Sequence, residues 1–185
     1  MTISIDTAGR PGVALARLSS THPLHAAIID TWDIVEEGST AHGTMAVSLG
    51  ENNRIRLSFD PAFVQGITPD EAASVLQHEL HHVLFGHLTS RPEDHPNLKA
   101  WRLAEEMTAN EFVVGPLPGR PILLKDFPGF PTGESTRERY RRLASSGRRP
   151  TDGAAKPDTS GQESPRCVAG LTSCIAMSAR VSPPT

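Results

Sequence analysis

His78, Glu79 and His82 stand in the pattern H-E-x-x-H. On an α-helix, residues i and i+4 lie one above the other on the same face, so two imidazole nitrogens at this spacing can converge on one cation. The glutamate is turned about 100° from His78, which aims its carboxylate at a water on the cation rather than at the cation itself. Such an arrangement suits hydrolysis. The metal polarises a carbonyl and acidifies the water, while Glu79 takes the proton and later hands it to the leaving amine. The competing reading is a histidine-rich helix whose rings only satisfy hydrogen bonds in a core. Burying several histidines and a glutamate without a metal makes that reading costly.

A catalytic zinc usually has three protein ligands and one open position. A histidine just beyond a glycine turn would need Gly at 85 and His at 88, where this chain has Phe85 and Leu88. His87 lies five residues past His82, about 140° off the ligand face of a continuing helix. The segment WRLAEEMTAN at 101–110 offers Glu105 and Glu106. Glu106 is preferred, because Asn110 follows four residues later on the same face, where an amide can orient a ligand by hydrogen bonding. Glu105 is the alternative carboxylate, expected beside Trp101 and Thr108, and His87 or no third ligand completes the set of options. One Zn²⁺ per chain, on His78, His82 and Glu106, is the expected cofactor.

Weaker claims attach to other residues. His87 and Arg91 could line the site and stabilise an oxyanion, though a cation at a helix C-terminus explains them equally well. Tyr140, the single tyrosine, could lend an O–H to the transition state, but packing is the commoner fate. His81 is expected to meet a neighbouring polar group. The arginines of 137–149 hint weakly at nucleic acid, and the interspersed Glu134 and Glu138 favour a plain solvated segment.

These side chains need elements to hold them. Thr68-Pro69-Asp70-Glu71 is a helix start with a capping box, predicting a helix from there to about Leu88. Asn97 opens a second, to about Val113. Thr44–Leu49 and Arg54–Phe59 alternate apolar and polar residues around Gly50-Glu51-Asn52-Asn53, the signature of a β-hairpin. Thr21–Glu37 reads as a helix capped by Thr21, with Leu24, Ile28, Ile29, Trp32 and Val35 on one face. Ser135–Ala144 reads as a short helix behind an irregular, proline-rich stretch.

Composition frames the whole. The chain has 185 residues, a net charge of −3, 37% hydrophobic residues, 15 Gly, 16 Pro and 8 His. The charge balance gives no global footprint of a nucleic-acid binder. The low apolar share points to unpacked segments, assigned to a poorly ordered lead-in at 1–19 and a low-complexity tail at 145–185 around a domain at 20–144. No stretch is long and apolar enough for a bilayer, and the N-terminus has no apolar signal core, so a cytoplasmic location is expected. Cys167 and Cys174 make neither a disulfide framework nor a C-x-x-C zinc pair.

Residues from about Phe59 to Leu143 resemble the N-terminal metallopeptidase-like region of bacterial VWA-like proteins, a zincin family. The matching pieces are Phe59-Asp60-Pro61-Ala62-Phe63-Val64, His78-Glu79-Leu80-His81-His82, Gly86-His87, Arg91, then Trp101, Ala104, Glu106 and Asn110, and Gly133-Glu134-Ser135 with Glu138-Arg139-Tyr140 and Leu143. That family commonly has Asp where this chain has Glu106, and its members usually continue into a von Willebrand A-like domain. The resemblance implies an α+β zincin-like fold. The reading that follows is a zinc metallopeptidase acting on peptides or proteins. Its rivals are a catalytically silent zincin-fold metal-binding module serving interaction or regulation with a protein partner, and a zinc hydrolase of a non-peptide amide. In zincins an edge strand beside the site pairs with extended substrate, and the hairpin supplies the candidate.

Overall fold

The helix carrying H-E-x-x-H starts where its sequence dictates. Thr68 Oγ1 accepts from the Glu71 amide at 3.2 Å, and the Glu71 carboxylate accepts from the Thr68 amide at 2.8 Å. Two orphan donors of the first turn are thereby satisfied. The computed structural model describes residues 10–37 and 44–146, and the tail with its two cysteines lies outside them. Among the described residues the elements run α1 (Arg10–Thr21), α2 (Pro23–Ile29), β1 (Asp33–Glu36), β2 (Met45–Leu49), β3 (Ile55–Phe59), α3 (Pro61–Gly66), α4 (Pro69–Leu84), α5 (Leu98–Glu111) and α6 (Thr136–Ser146).

The fold is α+β, with a small mixed sheet. β2 and β3 form the expected hairpin, pairing Met45 with Phe59, Val47 with Leu57 and Leu49 with Ile55. Asn52 and Asn53 take left-handed φ of 60° and 57° in its turn, a region asparagine tolerates. Met45, Val47 and Leu57 point inward and are fully buried. They join Leu18, Ile29, Val64, Leu76 and Leu80 in the main core. Every residue of α4 from Ala72 to His82 is buried, so this helix is the spine on which the other layers pack.

Two expectations about the N-terminal third are corrected. Residues 10–19 are not a lead-in: they belong to α1, whose Ala14 and Leu18, one turn apart, are buried in the core. Pro11 sits in the first turn, where its missing N–H leaves no bond unmade. Arg17 of α1 bonds Asp70 of α4 at 2.6 Å. Thr21 does not cap a helix to Glu37. It closes α1, its hydroxyl donating to the Leu18 carbonyl at 3.3 Å, and α2 ends already at Ile29. The chain then turns into β1, which pairs parallel with β3, matching Ile34 with Leu57. The strand order is β1-β3-β2, leaving β3 central and β2 at an edge.

The second half closes over α4. Asn97 caps α5 by accepting from the Ala100 amide at 3.1 Å. After α5 the chain is irregular, as its prolines predict. The Val114 amide donates to Gln77 Oε1 of α4 at 2.8 Å. Gly115 follows at φ 124°, where a Cβ would meet Ser74 Oγ at 2.6 Å, so only glycine lets the segment lie this close. α6 then packs along α5. No helix among the described residues is long and apolar enough to cross a membrane.

Candidate metal centre

His78, Glu79 and His82 are fully buried on α4. Asn110, one turn beyond Glu106 on α5, accepts at Oδ1 from His78 Nδ1 at 2.6 Å. Its amide nitrogen donates to the Ile122 carbonyl at 2.8 Å, which fixes which way the amide faces. His78 therefore carries its proton on Nδ1 and keeps a lone pair on Nε2. That nitrogen lies 2.9 Å from His82 Nε2. Glu106 reaches the same point, with Oε2 3.8 Å from His78 Nε2 and Oε1 3.6 Å from His82 Nε2. These three side chains form a group able to hold a metal ion. Tetrahedral zinc with bonds of about 2.0–2.1 Å places its ligand atoms about 3.3 Å apart, a value the three observed separations bracket.

Burial sets the charge states. It pulls His78 down to about 3 and His82 well below the ordinary imidazole range, so both rings are neutral, the form a cation requires. Burial pushes Glu106 up to about 8, with the neighbouring Glu105 charge adding to the rise. It pushes Glu79 well up too, helped by the Glu106 charge. Glu79 Oε2 accepts from the Val47 amide of β2 at 3.1 Å. Its Oε1 is buried with no hydrogen-bond partner, an orphaned acceptor. This donor set fits a divalent cation such as zinc, whose charge would compensate the acids that burial disfavours.

A pH dependence follows. In the metal-free chain Glu106 titrates near 8 and Glu105 near 7, both above the ordinary value of 4.5. The native state then binds more protons than the unfolded one, so stability falls as pH rises from about 4.5 to 8. His78, near 3, and His87, near 4, act oppositely, and their contribution is complete above their ordinary value of 6.5. The melting midpoint in chelator is expected to decline from pH 6.5 to 8.5, and added zinc should remove the decline by engaging the Glu106 carboxylate. Parallel melts with and without metal check this.

The other candidates divide. His87 is buried and meets both His82, Nδ1 to Nδ1 at 2.8 Å, and Thr136 Oγ1 at 2.8 Å from its Nε2. The expectation that it falls off the ligand face assumed a helix continuing to Leu88. The helix stops at Leu84, and Gly86, at φ 72°, turns the chain back so that His87 faces His82. Thr136 was not anticipated, because a threonine 49 residues away belongs to no motif. His81 Nδ1 donates to the Ala109 carbonyl at 2.8 Å, a satisfied core histidine as expected. Glu105 hydrogen-bonds Trp101, as its face predicted, and is not part of the metal group.

Arg91 is exposed and lines a cleft of about 580 Å³ with His87 and Thr136, outside the metal group. Tyr140 packs, as the commoner fate would have it: its oxygen accepts from the Asn97 amide at 3.3 Å and its ring stands edge-on to Trp101, joining α6 to α5. The solvated reading of 137–149 is corrected at Arg139, which is fully buried, while Arg142 pairs with Glu134 at 2.6 Å.

The model of a family described as a putative metallopeptidase domain matches residues 8–184. The chain belongs to this family. The match covers the metallopeptidase-like region of the resemblance drawn from sequence, and the von Willebrand A-like context is not part of it. The family description agrees with a His-His-Glu group able to hold a metal, its two histidines buried and its glutamate partly so. It also takes in α1, in line with the helix found there. No curated protein and no solved structure matches the chain.

Proposed function

We propose that this protein is a zinc-dependent peptidase of zincin type, in which His78, His82 and Glu106 hold the metal and Glu79 is general base and acid. The observation that carries the reading is the convergence of those three ligand atoms, with Glu79, next to His78 on α4, holding a buried Oε1 that has no hydrogen-bond partner. Bound zinc would supply Lewis acidity, polarising the scissile carbonyl and lowering the pKa of the attacking water. Glu79 Oε1 takes the proton of that water. The Val47 amide holds Oε2 and so fixes the carboxylate's direction. Glu79 then returns the proton to the leaving nitrogen. Asn110 keeps His78 in the tautomer that offers Nε2.

The substrate strand of this reading is β2. β3 is paired on both sides, so the edges are β1 and β2. The Val47 amide of β2 donates to Glu79 of α4, and this contact with the site supports β2 as the edge that would take an extended peptide. Recognition would run through backbone bonds and depend loosely on side chains.

The test has two parts. Purified protein should hold about one zinc per chain; Glu106→Ala should lose it, while Glu105→Ala should keep it. A peptide-library digest read by mass spectrometry should then show cleavage that disappears in chelator and returns with zinc. Zinc bound without cleavage would favour the silent module, and amide turnover without peptide cleavage the non-peptide hydrolase. Zinc retained in Glu106→Ala would sink the ligand assignment.

A further inference from the structure

Resting on the peptidase reading, we infer that the cleft of about 580 Å³ beside His87 takes a carboxylate of the peptide substrate, held between Arg91, Arg137 and the first turn of α6. Its volume is that of a ligand site, commonly about 300–1,000 Å³. Its wall is fixed before anything enters. His95 lies flat on Trp101, with ring centroids 3.5 Å apart, and its Nε2 meets Ser90 Oγ at 3.0 Å. Tyr140 of α6 stands edge-on to His95 at 5.2 Å. Arg137 lies three residues before Tyr140 on the same helix face, so the contact that docks Tyr140 also brings Arg137 to the cleft that Arg91 lines. His95 is 6% exposed and its Nδ1 has no hydrogen-bond partner, so the protein's own groups leave one polar atom of the wall unsatisfied.

Charge decides what the cleft takes. The arginine–carboxylate pairs among the described residues are those of Arg17, Arg54, Arg139 and Arg142. Arg91 and Arg137 are exposed and belong to none of them. Two carboxylates also line the cleft. Glu134 is engaged by Arg142 at 2.6 Å, which leaves Asp94 against two guanidiniums. α6 adds to the positive excess. Thr136 and Arg137 are its first residues, whose N–H groups have no acceptor inside the helix, and the helix dipole there favours an anion. A guanidinium fork matches the two oxygens of a carboxylate. Phe85 and Phe112, with ring centroids 5.4 Å apart on the same cleft, offer apolar area to the carbon stem that carries it. The cleft begins one ring from the metal centre: His87 lines it, and the His87 and His82 ring centroids are 4.9 Å apart. An extended peptide advances about 3.3–3.6 Å per residue, so the bound carboxylate belongs to a side chain or a chain end within about four residues of the bond at the metal.

The test separates binding from cleavage. Short fluorescent peptides carrying a single Glu, Gln or Lys, all with amidated C-termini, are titrated by anisotropy against the full chain in chelator. A neutral peptide with a free C-terminus distinguishes a chain-end carboxylate from a side-chain one. The Glu peptide or the free-ended one should bind about 10-fold more tightly than the Gln peptide, a modest gain because both guanidiniums are exposed. Added salt should shrink the gain. Arg91→Gln/Arg137→Gln should abolish it while melting like the wild type, and Arg91→Lys/Arg137→Lys should keep part of it. Equal affinities for all the peptides, or a gain that persists in the folded Gln double variant, would overturn the inference. Digestion of the same peptides with zinc restored tests the peptidase reading separately. Carboxylate peptides bound through the two arginines but never cut would leave the cleft assigned and sink the peptidase. Peptides cut with no carboxylate preference in affinity would sink the cleft and keep the peptidase.

Discussion

Glu79→Gln keeps zinc and loses peptide cleavage by about 10²- to 10⁴-fold, the range expected when a positioned general base is removed. The amide fills the same volume and its oxygen can still accept from the Val47 amide, as Glu79 Oε2 does at 3.1 Å. It cannot take a proton at the position of Oε1. Burial already pushes the Glu79 carboxyl well up, so a neutral amide suits the metal-free site as well as the native side chain does. The variant should therefore fold, melt no lower than wild type and bind zinc with the same stoichiometry. Metal analysis, melting and the library digest decide together. Cleavage at the wild-type rate by a zinc-loaded Glu79→Gln would remove Glu79 from the chemistry.

Arg139→Met destabilises the chain by about 3–5 kcal/mol, the cost of stripping one partner from a buried ion pair. Arg139 has no exposed side-chain area, and its guanidinium meets Glu111, whose side chain is 11% exposed. Glu111 Oε1 also accepts from the Gly133 amide at 2.8 Å, and Arg139 Nη1 donates to Thr108 Oγ1 at 3.3 Å. One side chain of α6 therefore ties α5 and the segment entering α6 together. Replacing only the arginine leaves a carboxylate facing a closed interface. The double variant Arg139→Met/Glu111→Leu should recover much of the loss, since an apolar pair of similar volume costs no unpaired charge. Denaturant melts of the three variants give the coupling directly. A single variant within about 0.5 kcal/mol of wild type would mean the pair is not closed to water.

What could be read from the sequence was local. H-E-x-x-H and the pairing of Glu106 with Asn110 are i, i+4 relations within one helix, and Thr68 to Glu71 and Asn97 to Ala100 are caps within one turn. The hairpin is an alternation around a turn. What could not be read was non-local or depended on where a helix stops. β1 is four residues long, and Val35 fits a helical period as well as a strand, so only its parallel partner Ser58, across the β2 hairpin, decides it. α1 hides behind Gly9, Pro11 and Gly12, though Ala14 and Leu18 carry its core face. His87 changes role through one left-handed glycine, Gly86. Arg139 looks solvated in a row of arginines, and only the approach of Glu111 from α5 shows otherwise.

The route from His82 through His87 to Thr136 also has a meaning in time. The metal group of His78, His82 and Glu106 is synthesised before Thr136, whose hydroxyl meets His87. Thirty positions separate Glu106 from Thr136. At about 5–20 residues per second, that is a delay of about 2–6 s. During it the nascent chain holds all three side chains of the group but not the partner of His87, so the packing behind His82 is completed only when α6 arrives.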